Sequence, residues 1–368
     1  MGVTKPSFIF GIKLINIIEP TLTTETGHCF SFIESLCSAN HAMRFSIWMN
    51  YGASLDFSSK NTVINKYFYR KIRKLQCVFL YRKLLNTPDK ILIATAGRLD
   101  LVIFDWVSKI TIPPNKVYFY FHWMNGSHKK LAYLKKLAIK QPNLVMLGPT
   151  PSIIKVFETA GFKQAYVVPY PVEKMEVKEQ QVPPTFKSIL FAGAARQDKG
   201  FNHVVNLIEL ANQLDLTLPF TLQVSPDHHG QYDVKTKADI VRLSNINYEY
   251  LERRTATLSK ALYAEMFLGA ICLQPYDEVD FSDRISGVTL DALSYGSPIV
   301  TTSGTWIARQ VERFGAGIVA KSTAPADLLL ALEKVVAEYP YYSNNAVQAG
   351  QILQDEHNAI HLARVFEG

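Results

Sequence analysis

A chain of 368 residues is long enough for two α/β domains, and 48% hydrophobic against 19% charged residues excludes a disordered chain. The formal charge of +7 is uneven: residues 1–180 hold 24 Lys/Arg and 11 Asp/Glu, the remainder 15 and 21. A basic half beside an acidic half predicts two domains that meet different surfaces and argues against a nucleic-acid binder along the whole length.

The first half alternates apolar strands with helical stretches. Lys13 to Ile18 reads as a strand, TLTTETGH as a polar loop, Cys29 to Ser38 as a helix and Arg44 to Met49 as a strand. Ile91 to Ala94 is a short strand, and TAGRLD after it opens a helix to about Lys109. Val117 to Phe121 and Leu144 to Leu147 are strands, and Thr150-Pro151-Ser152 starts a helix with Pro in its first turn. Such alternation predicts a parallel sheet with helices on both faces, whose ligands bind beyond the carboxyl ends of the strands. Gly27, His28, Gly97, Arg98, His122 and Asn125 are the loop residues this places near a ligand.

One segment departs from the pattern. From Asn65 to Leu85 the chain reads NKYFYRKIRKLQCVFLYRKLL, with no acid between Asp56 and Asp89. A basic helix with aromatics suits an anionic lipid surface, and the same pattern suits a domain helix whose aromatics pack inward; the residues leave both open. The four cysteines, Cys29, Cys37, Cys77 and Cys272, have no metal-like spacing, so a reducing cytoplasm is expected. No apolar run approaches the roughly 20 residues of a membrane span. Ser7 to Ile18, interrupted by Lys13, lacks the cleavage site of a signal peptide.

Val172 to Thr185, charged and proline-bearing, reads as a linker. Alternation then restarts: strand Ser188–Ala192, loop GAARQDKG, helix Phe201–Leu214, strand Phe220–Val224, helix Ser259–Phe267 and strand Ala270–Gln274. Asp227-His228-His229 looks metal-like but reads better as an exposed turn, and no metal is expected. A helix near Ala324 and a last helical run, Ala346 to Phe366, close the chain. The domains are therefore expected at 1–172 and 173–345, with 346–368 packing back on the first.

Phe281 to Thr302 carries the chemistry: FSDRISGVTLDALSYGSPIVTT. Small residues Ser286 and Gly287 precede a helix, Val288 to Tyr295, whose unpaired N–H groups and positive dipole end suit an anion. Asp283 lies in the loop before that helix and Asp291 about one turn into it. Phosphates would take the N–H groups and the carboxylates would take hydroxyls.

In the order and spacing of its motifs the chain resembles the GT-B glycosyltransferases, most closely the retaining enzymes of glycosyltransferase family 4. Gly193 followed six positions later by Lys199-Gly200 resembles the family's G-(x5)-K-G loop, and Asp283 and Asp291 stand where it has a Glu-x7-Glu pair. Leu290-Asp291-Ala292-Leu293 with Gly296-Ser297-Pro298-Ile299-Val300 resembles LEAxxxGxPVV, and Val167 to Val172 resembles the junction VIPNGVD. Gly27-His28 resembles the acceptor loop, and His122 the histidine near the donor sugar.

The resemblance implies two Rossmann-like doubly wound domains with the active-site cleft between them. It implies a metal-independent, retaining transfer from a UDP- or GDP-linked sugar to a glycan or lipid-linked acceptor, with no further cofactor. Lys199 and Arg196 would neutralise the leaving diphosphate, helped by Ser286, Gly287 and Val288. Asp291 would hold ribose hydroxyls, and Asp283 and His122 the transferred sugar. Gly27, His28, Arg98 and Asn125 would lie on the acceptor side. The setting implied is bacterial cell-surface polysaccharide synthesis, in the cytoplasm and peripherally on the inner face of the membrane. Both family glutamates are aspartates here, the usual Arg after the loop glycine is Ala194, and Arg284 stands where the family has E-G-F-G. A nucleotide-sugar epimerase, a phosphorylase or a non-catalytic binding homologue are the alternatives; a nicotinamide dehydrogenase is disfavoured, since no strand-end loop reads G-x-G-x-x-G.

Overall fold

The computed structural model describes residues 14–25, 28–124, 126, 128–172, 185–224, 230, 232–256 and 258–367, apart from the side chains of His28 and Lys260. These residues form two compact units: one runs to Val172 and resumes at His357, and the other runs from Thr185 to Glu356.

In chain order the first unit contains β1 (Leu14–Glu19), α1 (His28–Ser38), β2 (Arg44–Asn50), β3 (Thr62–Phe68), α2 (Arg73–Leu85), β4 (Lys90–Ile93), α3 (Arg98–Val107), β5 (Val117–Tyr120), α4 (His128–Lys140), β6 (Val145–Gly148), α5 (Pro151–Ala160) and β7 (Ala165–Val167). The strands make one parallel sheet, ordered β3-β2-β1-β4-β5-β6-β7. β5 and β6 are buried throughout, as a parallel sheet covered on both faces requires. Period-two alternation divides their side chains between the layers. Val117 and Phe119 join the core made with α2 to α5, whereas Tyr120 packs edge-on against Phe32 of α1.

The second unit contains β8 (Ser188–Phe191), α6 (Phe201–Gln213), β9 (Phe220–Gln223), α7 (Val234–Asn245), β10 (Leu251–Arg254), α8 (Lys260–Glu265), β11 (Ala270–Gln274), α9 (Glu278–Phe281), α10 (Gly287–Ser294), β12 (Ile299–Thr302), α11 (Trp306–Phe314), β13 (Gly317–Ala320), α12 (Pro325–Ala337) and α13 (Tyr339–Glu356). Its parallel sheet is ordered β10-β9-β8-β11-β12-β13. The last helix, α14 (Ile360–Glu367), lies in the first unit, where Phe366 packs on Tyr118 and its carbonyl accepts from Lys90 Nζ at 2.7 Å.

Two expectations are corrected. Asn65 to Leu85 is not one helix: Thr62–Phe68, rich in β-branched and aromatic residues, pairs with β2 as an edge strand, and the helix starts only at Arg73. The run from 346 to 366 is also two helices. The break at His357–Ala359 is held by His357 Nδ1–H donating to the Tyr170 carbonyl at 2.9 Å and by the Val172 N–H donating to the His357 carbonyl. α13 packs on α10 in the second unit, so only residues from 357 belong with the first.

Candidate functional site

In the second unit the strand order reverses between β8 and β11, so the loops after these strands open on one crevice at the carboxyl edge of the sheet. The first loop starts at Gly193, with φ of +97° and its N–H donating to Gln223 Oε1 at 2.8 Å. A Cβ on Gly193 would stand 2.8 Å from Lys199 Nζ and 3.6 Å from Val288 Cγ2, so its absence lets the ammonium group lie between the loop and the first turn of α10. Gly200 closes the 3₁₀ turn Gln197–Lys199 with φ of +71°, and a Cβ there would stand 2.0 Å from the Pro275 carbonyl oxygen. Only glycine fits. The Asp277 N–H donates to the Asp198 carbonyl at 3.0 Å and ties this loop to the one after β11.

Three cations gather around one carboxylate. Arg196 grips Asp198 in a bidentate pair, Nε to Oδ1 at 2.7 Å and Nη2 to Oδ2. Arg284 Nη1 lies 3.7 Å from the same Oδ2, its guanidinium 4.9 Å from the centre of the Phe281 ring. Lys199 Nζ lies 5.6 Å from the centre of the Tyr276 ring and makes no ion pair among the described residues. Burial and the neighbouring Arg196 push the Lys199 ammonium down to about 8, and the same two causes lower Arg284. Burial and Arg196 thus disfavour the charged forms of Lys199 and Arg284, which Asp198 and, for Arg284, Asp280 offset only in part, and an anion would relieve both.

α10 adds its N-terminus. Ser286 is the N-cap, its Oγ accepting the Thr289 N–H at 3.3 Å, while the N–H groups of Gly287 and Val288 have no acceptor among the described residues. Space beside Gly287 is open: a Cβ there would meet nothing within 4 Å. One turn along, Asp291 Oδ2 accepts from the Tyr263 hydroxyl at 3.0 Å. Asp283 Oδ1 accepts from Arg309 Nη2 on α11 at 3.1 Å.

Gly193, Arg196, Lys199, Arg284, Ser286, Gly287 and Val288 therefore converge, and Asp291 stands on the same helix. Sequence reasoning missed Asp198, Tyr263 and Arg309, which orient the expected residues, and the buried pair Gln274 and Tyr276. Gln274 Nε2 and the Tyr276 hydroxyl have no hydrogen-bond partner among the described residues. A cavity of about 450 Å³ beside Arg196 is walled by Asp198, Asp233, Asp277 and Asp280, carboxylates that suit it poorly to a phosphate. Among the described residues no group of three or more His, Cys, Asp or Glu is placed to hold a metal ion.

In the first unit the order reverses between β1 and β4. His122 follows β5; its Nε2–H donates to the Ala94 carbonyl at 2.9 Å, and its ring is boxed by Phe32, Tyr120 and Tyr170 at 5.2–5.4 Å between centroids. Arg98 is exposed in the first turn of α3, which is capped by the Gly97 N–H donating to Asp100 Oδ2 at 2.9 Å. Glu19, at the end of β1, is buried: Oε1 accepts from Thr21, Oε2 has no partner among the described residues, and burial pushes its pKa up. Gly27, Asn125, the side chain of His28 and Asp227 to His229 lie outside the described residues, as do most of the expected linker and Lys13.

Solved structures resemble the chain over nearly its whole length. The Anabaena protein Alr3699/HepE, in complex with UDP and glucose, superposes with a TM-score of 0.66 at 13% identity, covering 96% of this chain and 97% of its own. Trehalose-6-phosphate synthase OtsA gives 0.69 at 11% identity, covering 96% and 99%. WaaG, a glycosyltransferase involved in lipopolysaccharide biosynthesis, gives 0.66 at 13% identity, covering 96% and 100%. The fold is GT-B. No protein-family model and no curated protein sequence matches the chain, so these likenesses establish the GT-B architecture alone. In this GT-B chain the converged cations and the free helix end belong to the second unit, on loops that the fold brings to its sheet's switch point.

Proposed function

We propose that the protein is a glycosyltransferase that moves a sugar from a nucleotide-diphosphate sugar to a glycan or lipid-linked acceptor. The observation that carries this reading is Lys199: an ammonium that makes no ion pair among the described residues, held over Gly193 and against the start of α10. A diphosphate there receives Lys199, the N–H groups of Gly287 and Val288, and the Arg196 and Arg284 guanidiniums. As the bond from the sugar to the diphosphate breaks, negative charge grows on the leaving oxygen, and preset donors then hold it more strongly than in the ground state. These charges do the electrostatic work a divalent metal would otherwise do, and the transfer is expected to need none.

Asp291, with one oxygen on Tyr263, is assigned to ribose hydroxyls; Asp283 and His122 are assigned to the transferred sugar. Transfer with retention, a UDP or GDP donor and a place in bacterial cell-surface polysaccharide synthesis at the inner face of the membrane complete the reading. An alternative without turnover draws on Asp283, whose carboxylate is already held by Arg309.

The test is thermal stabilisation by uridine and guanosine diphosphates and their sugars, with wild type and Lys199→Ala, followed by an assay for glycosyl product. A shift with one nucleotide family, lost in the variant, is expected, because a ligand that binds only the folded state raises its stability. Binding without product on any acceptor overturns the transfer and leaves the binding homologue; no binding overturns both.

A further inference from the structure

α2 carries two apolar stripes. Cys77, Leu80, Tyr81 and Leu84 are buried in the core, and on the opposite side Ile72, Leu75 and Phe79, at i, i+3 and i+7 from the cap, face solvent. Leu75 and Phe79 remain 56% and 58% exposed. A helix serving only its domain has no use for the second stripe. α3, packed beside α2 through the stacked rings of Tyr81 and Phe104, repeats the arrangement. Leu101, Phe104 and Val107 are buried, while Leu99, Val102 and Trp106 are exposed at the same i, i+3, i+7 spacing, Trp106 by 73%. Ile110, just beyond the helix, is 77% exposed.

Charge surrounds this surface with one sign. Residues 66–140 hold 16 Lys/Arg and three acids, Asp89, Asp100 and Asp105; of the cations, Lys116 is buried on backbone carbonyls and Lys90 is bonded to Tyr118 and the Phe366 carbonyl, so neither belongs to this surface. Asp100 accepts from Tyr81 and from the Gly97 N–H, and Asp105 pairs with Lys140 at 2.6 Å, a bridge that also joins α3 to α4. α4 has five lysines, Lys129, Lys130, Lys135, Lys136 and Lys140, and no acid. Since α2, α3 and α4 bury their inner sides in one core on one face of the sheet, their outer sides form a continuous layer. No described helix is long and apolar enough to cross a membrane.

We propose that the outer layer of α2, α3 and α4 docks on an anionic lipid bilayer, with Phe79 and Trp106 inserted at the headgroup boundary and the lysines of α4 on lipid phosphates. Isolated apolar side chains on a surface are ordinary, but two matching stripes on neighbouring helices, inside a field of cations, fit a partner that is apolar beneath a negative face. A second protein with an acidic rim would meet the cations but does not account for a tryptophan at 73% exposure framed by aliphatics on two parallel helices. The docking surface is therefore not the segment 65–85 but two helices and their cationic neighbour, and α3, which has no basic run of its own beyond Arg98, supplies the anchor. The inference goes beyond the proposed reaction, and its test needs no sugar donor.

The test is co-sedimentation of the full chain with vesicles of phosphatidylcholine, with and without phosphatidylglycerol, at low and high salt. Binding is expected only with phosphatidylglycerol, weakening with salt because screening shortens the reach of the lysines. Bound protein is expected to show a blue shift of tryptophan emission that is lost in Trp106→Phe. Phe79→Ser with Trp106→Ser is expected to reduce binding about tenfold or more, and Lys135→Glu with Lys136→Glu to reduce it at low salt. All these side chains are on the outer layer, so unchanged circular dichroism and melting separate lost binding from lost fold. Equal binding to both vesicle types, binding to neither, or binding indifferent to Phe79 and Trp106 each overturns the proposal. Failure here leaves nucleotide binding by the second unit untouched, and failure of nucleotide binding leaves the vesicle result untouched.

Discussion

At the scale of single residues, the proposed function turns on Lys199. Its ammonium titrates near 8 because burial and Arg196 disfavour the charged form. A bound diphosphate favours that form, so binding above this pH must take up a proton. Nucleotide-diphosphate affinity is expected to be flat below pH 7.5 and to fall above pH 8 by up to about tenfold per unit; isothermal titration in buffers of different ionisation enthalpy reads both the affinity and the proton uptake. Lys199→Arg, charged throughout, should remove the slope, and Lys199→Ala should lower kcat/KM about 10²–10³-fold, the loss typical of a donor to developing charge. Glu19 tests burial with the opposite residue type. Its folded pKa is raised, so its contribution to stability is full below the unfolded value of about 4 and is lost as pH rises through the folded one. Glu19→Gln keeps an acceptor for Thr21 and is expected to raise Tm at pH 7, with the gain vanishing on acidification toward pH 4.

At the scale of elements, loop and helix termini carry the site, and their glycines differ in kind. Gly200→Ala meets the Pro275 carbonyl and a left-handed backbone, and is expected to cost about 2 kcal/mol or more. Gly287→Ala enters open space at a helix start and is expected to leave Tm unchanged while weakening diphosphate binding, because the methyl occupies the approach to the N–H groups. Denaturant titration and the nucleotide thermal shift, run on both variants, separate the two effects. These loops are legible in the sequence because glycine, lysine and capping residues recur at fixed distances from apolar strands, and so Gly193, Lys199, Ser286 and Gly287 stand out there. What stayed hidden depends on contacts distant in sequence. Asp198 is an unremarkable acid until Arg196 and Arg284 close on it, and Arg309 becomes informative only when α11 brings it to Asp283. From Asn65 to Phe68 the lysine and aromatics of β3 resemble those of α2 and suggest helix, whereas pairing with β2 overrides that local likeness.

At the scale of the whole molecule, the chain leaves the first unit at Val172 and returns to it at His357, so the first unit is completed only by the last residues. Leu362 and Phe366 are fully buried, Phe366 packs on Tyr118 at 4.9 Å, and Lys90 Nζ donates to the Phe366 carbonyl. The two apolar side chains account for roughly 3–6 kcal/mol of burial, and truncation after Glu356 removes them together with the hydrogen bond from His357 to Tyr170. Nothing in the cation cluster of the second unit depends on these residues: Gly193, Lys199, Arg284 and α10 find their partners between Thr185 and Glu356. Calorimetry of the truncated chain is therefore expected to show an early transition for the first unit and a later one that still moves upward with nucleotide diphosphate. Vesicle binding should disappear at the early transition, since α2, α3 and α4 melt with their sheet. A single lowered transition, with nucleotide stabilisation lost as well, would mean that the last helix supports both units and that the division of labour between lipid and nucleotide surfaces is not a division in stability.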